Sequence, residues 1–585
     1  MRSFFAFPPA VYDVRQFFAR PFVESGANRW DWALLPVVLA AIVLLGWGAA
    51  QMATPYQVGE QLSISLDPIW LPYYLLRTSL RMFLALGASL VFSCLFAVAA
   101  AKSRAAEKVL VPLLDILQSI PILGFLSITV TGFIALFPGN LLGVEFAAIF
   151  AIFTSQAWNM AFSLYQSLRT VPAELREAAR ILQLSGWQRF WRLEIPFAMP
   201  GLLWNMMMSM SGGWFFVVAS EAISVSNQSI KLPGVGSYIA LAIEQRNLQA
   251  VAWAIAAMLA GILAYDQLLF RPLVAWSQKF RFETTAGATA ADPWLLRLMR
   301  RTRLLNRFVD AIGDAAVALG GLRMTLGPRT QAADGRSSRL LDAAWLVVLG
   351  IILVWALTRI ASFVSAELHW RDVGEALLLG SFTLVRVVVL IVLASLLWVP
   401  IGVWLGLRPI WARRAQPLAQ FLAAFPANLL FPPVVLFIVH FDLSPDNRLT
   451  PLMILGTQWY ILFNVVAGAA AFPGDLREAA NNFRVGGLLW WRKVMIPGIF
   501  PYYVTGAITA SGGSWNAAIV AEVASWGNTK LTAHGLGAYI AAATDRGDMA
   551  RVVLGVVVMS CFVLAFNRLV WRPLYGYSER HLKLG

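Results

Sequence analysis

The sequence predicts an all-α polytopic membrane protein of about 12 transmembrane helices, arranged as two parallel repeats. Hydrophobic residues make up 59% of the 585 residues, and the mean hydropathy is +0.67. Only 13% of the residues are charged, too few to cover a water-soluble body of this size. Apolar stretches of about 20 residues, the length that crosses a bilayer as a helix, recur along the chain.

A short polar stretch that occurs twice predicts the repeat. Residues Leu175 to Ala179 return letter for letter as Leu476 to Ala480, a shift of 301 positions. In each copy the Glu and the Pro that closes the stretch are 19 positions apart. Both copies lie between long apolar runs, so each is predicted to be a polar helical loop that joins two spans. Because each half has an even number of predicted spans, the two halves should run the same way through the membrane.

The apolar runs predict the order of segments. Residues 1–31 form a cytoplasmic N-terminal segment, and residues 32–274 form the first repeat, with its loop at 171–197. Its six spans are expected at about 32–50, 75–101, 111–137, 142–165, 200–223 and 250–270. The remaining segments are a cytoplasmic linker at 275–340, the second repeat at 341–575 with its loop at 472–498, and a cytoplasmic tail at 576–585.

The distribution of charge predicts the orientation. The chain carries a net charge of +15, and residues 275–340 alone hold eleven Lys and Arg against five Asp and Glu. Such an excess marks cytoplasmic loops, and the span count places the linker, both repeated loops and both termini on that side. Nucleic-acid binding is the distant alternative for a basic chain, and we expect none, because the basic residues lie in loops between apolar spans.

The sequence predicts no cofactor bound by this chain itself. Cys94 and Cys561 lie in apolar runs, which favours packing over a disulfide or a metal site. The four histidines are scattered without ligand spacing. The chain contains no Gly-x-x-x-x-Gly-Lys-Ser/Thr stretch, so we expect that it does not cradle ATP in a P-loop.

The repeated loop is longer than a connection between two spans requires. A Pro at the start of each copy suits the first turn of a helix. In the first copy Leu175, Ala178, Ala179 and Leu182 fall on one helical face, and the small alanines let another protein's backbone approach closely. An amphipathic helix lying on the membrane is the alternative, but it does not explain why both halves keep the same Glu-Ala-Ala and the same distal Pro.

These residues resemble the inner-membrane permease subunits of binding-protein-dependent ABC importers, in particular a duplicated, fused form of the nitrate, sulfonate, taurine and bicarbonate branch. In that family a Gly follows Glu-Ala-Ala after three residues, a position held here by Gln183 and Arg484. The resemblance implies a type I, MetI-like permease fold and a loop helix that docks on a separate ATPase. The implied coupling residues are Leu175, Glu177, Ala178, Ala179, Pro196, Leu476, Glu478, Ala479, Ala480 and Pro497.

The resemblance also implies the partners and the location. Two cytoplasmic ABC ATPase subunits would bind ATP and Mg, so that this chain is a transport component and not itself an enzyme. A periplasmic or lipid-anchored binding protein would deliver the substrate, a small inorganic or organic anion. The chain would lie among the lipids of the bacterial inner membrane with both termini in the cytoplasm.

Polar residues inside the spans are the candidates for a substrate pathway, because polar groups are costly there. Arg81 and Arg386, at matching places in the two halves, could attract an anion, snorkel to the interface or form a structural ion pair. Glu221 and Glu522, near the outer ends of their spans, are assigned a gating or paired structural role. The predicted pathway residues are Arg81, Gln118, Ser119, Gln156, Asn159, Asn205, Arg386, Gln420, Asn428, Gln458 and Asn516.

Three classes of function fit a membrane protein with this symmetry. The first is an importer permease driven by ATP and working by alternating access. A secondary, ion-coupled transporter with parallel repeats is the alternative, and it would need a titratable or sodium site at mid-membrane. A non-transporting scaffold or sensor is the third class, and the paired internal symmetry argues against it.

Overall fold

The computed structural model describes most of both predicted repeats. The described residues are 29–57, 60, 62–118, 122–225, 228–277, 294–302, 311, 313–315, 318–322, 344, 347–348, 350–352, 354–355, 358–359, 361–363, 365–425, 427–442, 444–470, 472–526 and 529–581. Most of the predicted N-terminal segment and most of the predicted linker therefore lie outside the described residues, as does Ser119.

Helices joined by short turns build the first repeat. They are α1 Arg29–Ala50, α2 Leu71–Lys102, α3 Arg104–Leu117, α4 Ile122–Leu136, α5 Leu142–Arg169, α6 Ala173–Ile181, α7 Gly186–Arg189, α8 Ile195–Glu221, α9 Val235–Glu244, α10 Leu248–Tyr265 and α11 Arg271–Ser277, and α12 Trp294–Arg301 follows in the linker. An antiparallel hairpin of β1 Ala222–Val225 and β2 Gln228–Lys231 connects α8 to α9. Single π-helical turns lie at Phe190–Glu194 and Asp266–Phe270.

The second repeat has the same order of elements from its loop helix onward. Its helices are α13 Trp370–Gly406, α14 Pro409–Ala424, α15 Phe431–His440, α16 Pro445–Arg448, α17 Leu452–Leu455, α18 Trp459–Ala470, α19 Gly474–Asn482, α20 Gly487–Trp490, α21 Ile496–Ala521, α22 Leu536–Arg546, α23 Met549–Phe566 and α24 Arg572–His581. From α19 onward the helix starts, the hairpin of β3 Val523–Trp526 and β4 Thr529–Thr532, and both π-helical turns follow the first repeat at a shift of 301. The two halves are therefore structural repeats.

The predicted count of about 12 spans is not confirmed. In the described part of the chain six helices are long and apolar enough to cross a membrane, or seven if the bent pair α18 and α19 counts as one. The predicted third span, 111–137, falls on two helices, α3 and α4. These two helices have 14 and 15 residues, so each extends only about 22 Å, short of the roughly 30 Å hydrocarbon core.

The centre of the first repeat is formed by α5 and by the long helix that continues into α8. In their most apolar windows 56% and 61% of the residues are buried inside the protein, against 22% in α13. Helix α13 therefore exposes most of its apolar side chains on the outside of the protein, as expected of a helix that faces lipid. One cluster of buried side chains, which includes the equivalent Trp214 and Trp515, runs through both repeats, so the halves share a core.

A described piece of the linker, residues 318–322, contacts the first repeat beside its loop. Trp187 Nε1 donates to the Leu319 carbonyl at 2.6 Å, and Gln188 Nε2 donates to the Gly321 carbonyl at 2.8 Å. An added Cβ on the buried Gly320 would lie 3.2 Å from Trp191 Cβ, so glycine lets this backbone lie close to the indole. At a shift of 301, Leu488 and Leu489 replace Trp187 and Gln188 and have no side-chain donor.

Candidate functional site

The two repeated loops form equivalent helices outside the apolar spans. Helices α6 and α19 each have nine residues and begin directly after a proline, Pro172 or Pro473, which occupies the N-cap. Proline suits the start of a helix because it lacks a backbone N–H, and an N–H at that place has no acceptor within the helix. In both helices the second alanine of Glu-Ala-Ala is buried, at Ala179 and Ala480.

Both loop helices end in the same left-handed turn, although neither has the glycine that usually makes it. Gln183 and Arg484 each have a φ of 52°. After the first helix, the Leu184 amide donates to the Ala179 carbonyl at 3.1 Å and the Gln183 amide to the Arg180 carbonyl at 3.0 Å. The second loop repeats both bonds, completing a Schellman motif in each. Gln183 and Arg484 therefore adopt the left-handed conformation at the position where the resembled family has glycine.

We expect Gln183→Gly and Arg484→Gly to stabilise the protein, by about 0.5–1 kcal/mol each. A left-handed conformation costs a non-glycine residue about 1–2 kcal/mol, and the greater unfolded-chain entropy of glycine offsets about 0.5–1 kcal/mol of that relief. Thermal unfolding in detergent measures the change. Ala178→Gly, inside the same helix, is the matched control and should destabilise by about 1 kcal/mol. A loss of stability in both turn variants would contradict the left-handed geometry.

Each loop helix leads into an exposed apolar tip. Ile181 and Leu182 are 81% and 57% exposed in the first loop, and Phe483 is 82% exposed in the second. Glu177 and Glu478 are also exposed. The sequence placed Leu182 on one face with Ala179, but the turn at Gln183 carries Leu182 outwards. Exposed apolar side chains next to exposed carboxylates form a surface suited to a protein partner.

A buried ion cluster joins the spans of the first repeat at the end away from its loop helix. Arg81 Nε lies 2.6 Å from Glu145 Oε2, and Arg81 Nη1 lies 2.6 Å from Glu221 Oε1. Arg77 Nη2 lies 2.5 Å from Glu145 Oε1. The Thr78 hydroxyl and the Gly236 amide also donate to Glu221. All four charged side chains are at most 1% exposed. The spans α2, α5 and α8 are therefore joined by ion pairs that are buried from solvent.

The second repeat carries a looser version of this cluster. Arg386 Nη1 lies 3.1 Å from Glu522 Oε1, and Arg386 Nη2 lies 3.4 Å from Asp446 Oδ1. Thr383 donates to Glu522, as Thr78 does to Glu221. Burial alone would raise the pKa of Asp446, but hydrogen bonds from His534 and the charge of Arg386 outweigh it and hold that pKa below its usual range. Asp446 is partly exposed, so water reaches this cluster.

The two arginines and Glu221 and Glu522 were identified from the sequence, but their partners were missed. Glu145 and Asp446 are 301 positions apart, and Thr78 and Thr383 are 305 apart. Other pairs of residues define both shifts, so a search for acidic and hydroxyl residues at those shifts would have found them. The structure shows the ion-pair alternative for Arg81, and the paired role assigned to Glu221 and Glu522 fits the same contacts.

A cavity of about 160 Å³ lies between the two repeats. It has room for about five water molecules. Among the predicted pathway residues, Gln118, Asn159 and Asn516 line it. The rest of its polar lining comes from hydroxyl, amide and indole groups, and no charged residue is in that lining among the described residues. The cavity therefore offers neutral hydrogen-bond donors and aromatic rings from both halves.

The other predicted pathway residues that are described lie in contacts elsewhere. Gln156 Nε2 donates to the Met210 sulfur, Asn205 Nδ2 donates to Ser163 Oγ, and Gln458 Oε1 accepts from Trp398 Nε1. Gln420 and Asn428 have side chains outside the described part of the structure. Their pathway role stays a prediction, as does that of Arg81 and Arg386.

The glycines of the central spans line the cavity as well as pack helices. An added Cβ on Gly212 would lie 2.8 Å from the hydroxyl of Tyr460, which belongs to the other repeat. Gly512 and Gly513 line the same cavity. Small residues here bring the two repeats close and also leave the space between them.

Two equivalent sets of apolar spans, each with one polar helical loop, define an internally duplicated membrane protein of the permease type. The family model of the binding-protein-dependent transport system inner membrane component matches residues 89–270 and 398–572. These two segments cover more than half of the chain, and the chain belongs to this family. The predicted resemblance is thereby confirmed, with one match in each repeat.

Relatives of known name resemble parts of the chain. A nitrate import permease protein from Leptolyngbya laminosa is 26% identical over 32% of this chain and 64% of its own length. A bicarbonate transport system permease protein from Synechococcus elongatus is 28% identical over 30% of this chain and 61% of its own. A taurine transport system permease protein from Escherichia coli is 24% identical over 35% and 78%. The chain thus spans less than two thirds of the nitrate and bicarbonate relatives.

Proposed function

We propose that this chain is the membrane component of an ATP-driven importer that carries a small inorganic or organic anion into the cytoplasm. The observation that carries the proposal is the pair of loop helices, α6 and α19. They keep the same Schellman turn even where a non-glycine residue must adopt it, and both end in exposed apolar side chains. Two ATPase subunits, which bind ATP and Mg, would dock on these loops.

The transport path in this proposal is the cavity between the repeats. Its neutral donors can bind an oxyanion without trapping it, because hydrogen bonds to neutral groups are weaker than ion pairs. The names of the relatives, for nitrate, bicarbonate and taurine, support an anionic or zwitterionic substrate. A binding protein in the periplasm or anchored to lipid would deliver it, and the chain would lie in the inner membrane with both termini cytoplasmic.

Alternating access in this proposal is a motion of one repeat against the other. The ion clusters lie within each repeat and join its own spans, so they would move as rigid parts. When ATP draws the two ATPase subunits together, the loop helices would follow and the cavity would open towards the outer side. A secondary transporter needs a titratable or sodium site instead, and the described cavity lining contains no carboxylate.

We expect Glu177→Arg and Glu478→Arg each to uncouple transport without unfolding the spans. Each carboxylate is exposed and lies in the middle of its nine-residue helix, so its charge is worth less to the helix than the about 0.3–1 kcal/mol of a first-turn charge. Disrupting a side chain at the centre of a protein interface costs about 2 kcal/mol or more, a fall of about thirtyfold in affinity. The measurements are co-purification with the ATPase and uptake into proteoliposomes.

Thermal stability in detergent is the control for both loop variants. Glu174→Arg, in the first turn of α6, is the matched substitution that tests the effect of the added charge on the helix itself. Purified without partners, the wild-type chain should not hydrolyse ATP. If both loop variants keep wild-type ATPase association and uptake, α6 and α19 are not coupling helices and the membrane-surface alternative gains support.

A further inference from the structure

A second cavity, separate from the one between the repeats, lies beside the first loop helix. Its volume is about 500 Å³, and the ends of α2 and α5, the helix α6 and the segment after it surround it. Among the described residues, five basic side chains and one carboxylate line it: Lys102, Arg169, Arg176, Arg180, Arg189 and Glu194. The cavity therefore has a strong excess of positive charge.

The carboxylates in reach do not neutralise these cations. Glu194 is shared, since Lys102 Nζ lies 3.2 Å from one of its oxygens and Arg189 Nε 2.8 Å from the other. Arg169 pairs with Glu107 at 3.1 Å. Two arginines on α6 have no carboxylate partner among the described residues: Arg176 donates to the Val171 carbonyl, and Arg180 faces the cavity. Like charges that line one cavity repel each other, and an anion between them lowers that repulsion.

The second repeat has the same backbone but lacks this group of charges. At a shift of 301, Ala470, Asn481, Trp490 and Met495 replace Arg169, Arg180, Arg189 and Glu194, and only Arg477 matches its counterpart, Arg176. Helix α19 and its Schellman turn form without these charges. The basic cavity is thus an addition to the first repeat and not a requirement of the loop fold.

We propose that this cavity is a binding site for a phosphate-like oxyanion, held by Arg176 and Arg180 with Lys102 and Arg189 at its other wall. Guanidinium groups match such anions because their N–H donors can bind two oxygens at once. Both a free oxyanion and the phosphate of an anionic lipid have this chemistry. The ligand would lie against the first loop helix alone, and its access from the cytoplasm rests on the proposed function.

The test uses the purified full chain, without an ATPase, in nanodiscs. Inorganic phosphate is titrated in discs of neutral phosphatidylcholine, and in a second arm phosphatidylglycerol replaces part of the lipid and retained lipid is counted by native mass spectrometry. Arg180→Gln and Arg176→Gln should each weaken binding about tenfold or more, the effect of losing one charged hydrogen bond. Arg477→Gln is the matched control and should leave binding unchanged.

Saturable phosphate binding that the two cavity variants weaken supports a soluble oxyanion, and lipid retention that only they weaken supports a lipid phosphate. Thermal unfolding checks that Arg180→Gln, at an exposed position, remains folded. Equal binding by wild type and both variants, or no binding of either probe, overturns the proposal. If neither probe binds while the variants lose the ATPase, the cavity belongs to a partner's acidic side chain instead. Because the binding assay contains no ATPase, its result does not depend on whether the loop helices dock on an ATPase.

Discussion

Arg81→Met should destabilise the protein by about 3–5 kcal/mol, the cost of removing one partner from a buried ion pair. Arg81 is wholly buried and contacts both Glu145 and Glu221. Its loss leaves two carboxylates with Arg77 as the remaining nearby cation, in a place that water does not reach. Arg81→Lys keeps a charge but cannot bridge the two carboxylates with a planar fork, so it should rescue only part of the loss.

Thermal unfolding in detergent and unfolding by denaturing detergent both measure this change. Arg386→Met is the matched variant in the second repeat, where the distances are longer and the arginine is 13% exposed, so its loss should be smaller. Adding Glu221→Gln to Arg81→Met should restore part of the stability, because it removes an unpaired charge. Equal effects at Arg81 and Arg386 would show that burial does not set the strength of these clusters.

Asn159→Asp should lower anion uptake by about a hundredfold or more while the protein remains folded. Asn159 lines the cavity between the repeats, and aspartate has nearly its shape but carries a negative charge. Two like charges 4 Å apart repel by about 4 kcal/mol at an effective dielectric constant of 20. Uptake into proteoliposomes measures the effect, and raising the assay pH should deepen it, because more of the new carboxyl group is then ionised.

Asn205→Asp is the control for the cavity variant. Asn205 lies on α8 and bonds to Ser163, and it is not among the cavity-lining residues. A charge there has a similar cost inside the membrane but does not meet the substrate. If Asn205→Asp and Asn159→Asp reduce uptake equally, the cavity is not the anion path.

The repeat was predictable because the same residues recur in the sequence at a constant shift. Five identical residues at a shift of 301 indicated the equivalence of α6 and α19, and the same shift relates the hairpins. The end of α3 at Leu117, inside the predicted third span, was not predictable from hydropathy. Residues 111–137 are continuously apolar enough to suggest one helix, whereas the chain forms two short ones.

The candidate sites were predictable only in part. The Glu-Ala-Ala stretch located the loops, but the left-handed turn at Gln183 and Arg484 follows from the backbone hydrogen bonds, because the residue types argue against it. Gln118, Asn159 and Asn516 were found by their polarity, and the structure brings them to one cavity. Gln156 has the same polarity, yet it packs on Met210, because helix rotation and not composition decides which side chain faces the cavity.

The linker segment beside the first loop has a stoichiometric consequence. Leu319 and Gly321 offer one pair of carbonyls, and Trp187 and Gln188 supply one pair of donors. With one linker, an assembly of two first repeats would leave one pair of donors without a linker carbonyl. An assembly of two second repeats, with Leu488 and Leu489 at those positions, would have no donor for the linker. A single polypeptide with two different halves supplies one linker and one surface that binds it. The two halves are therefore not interchangeable in binding the linker.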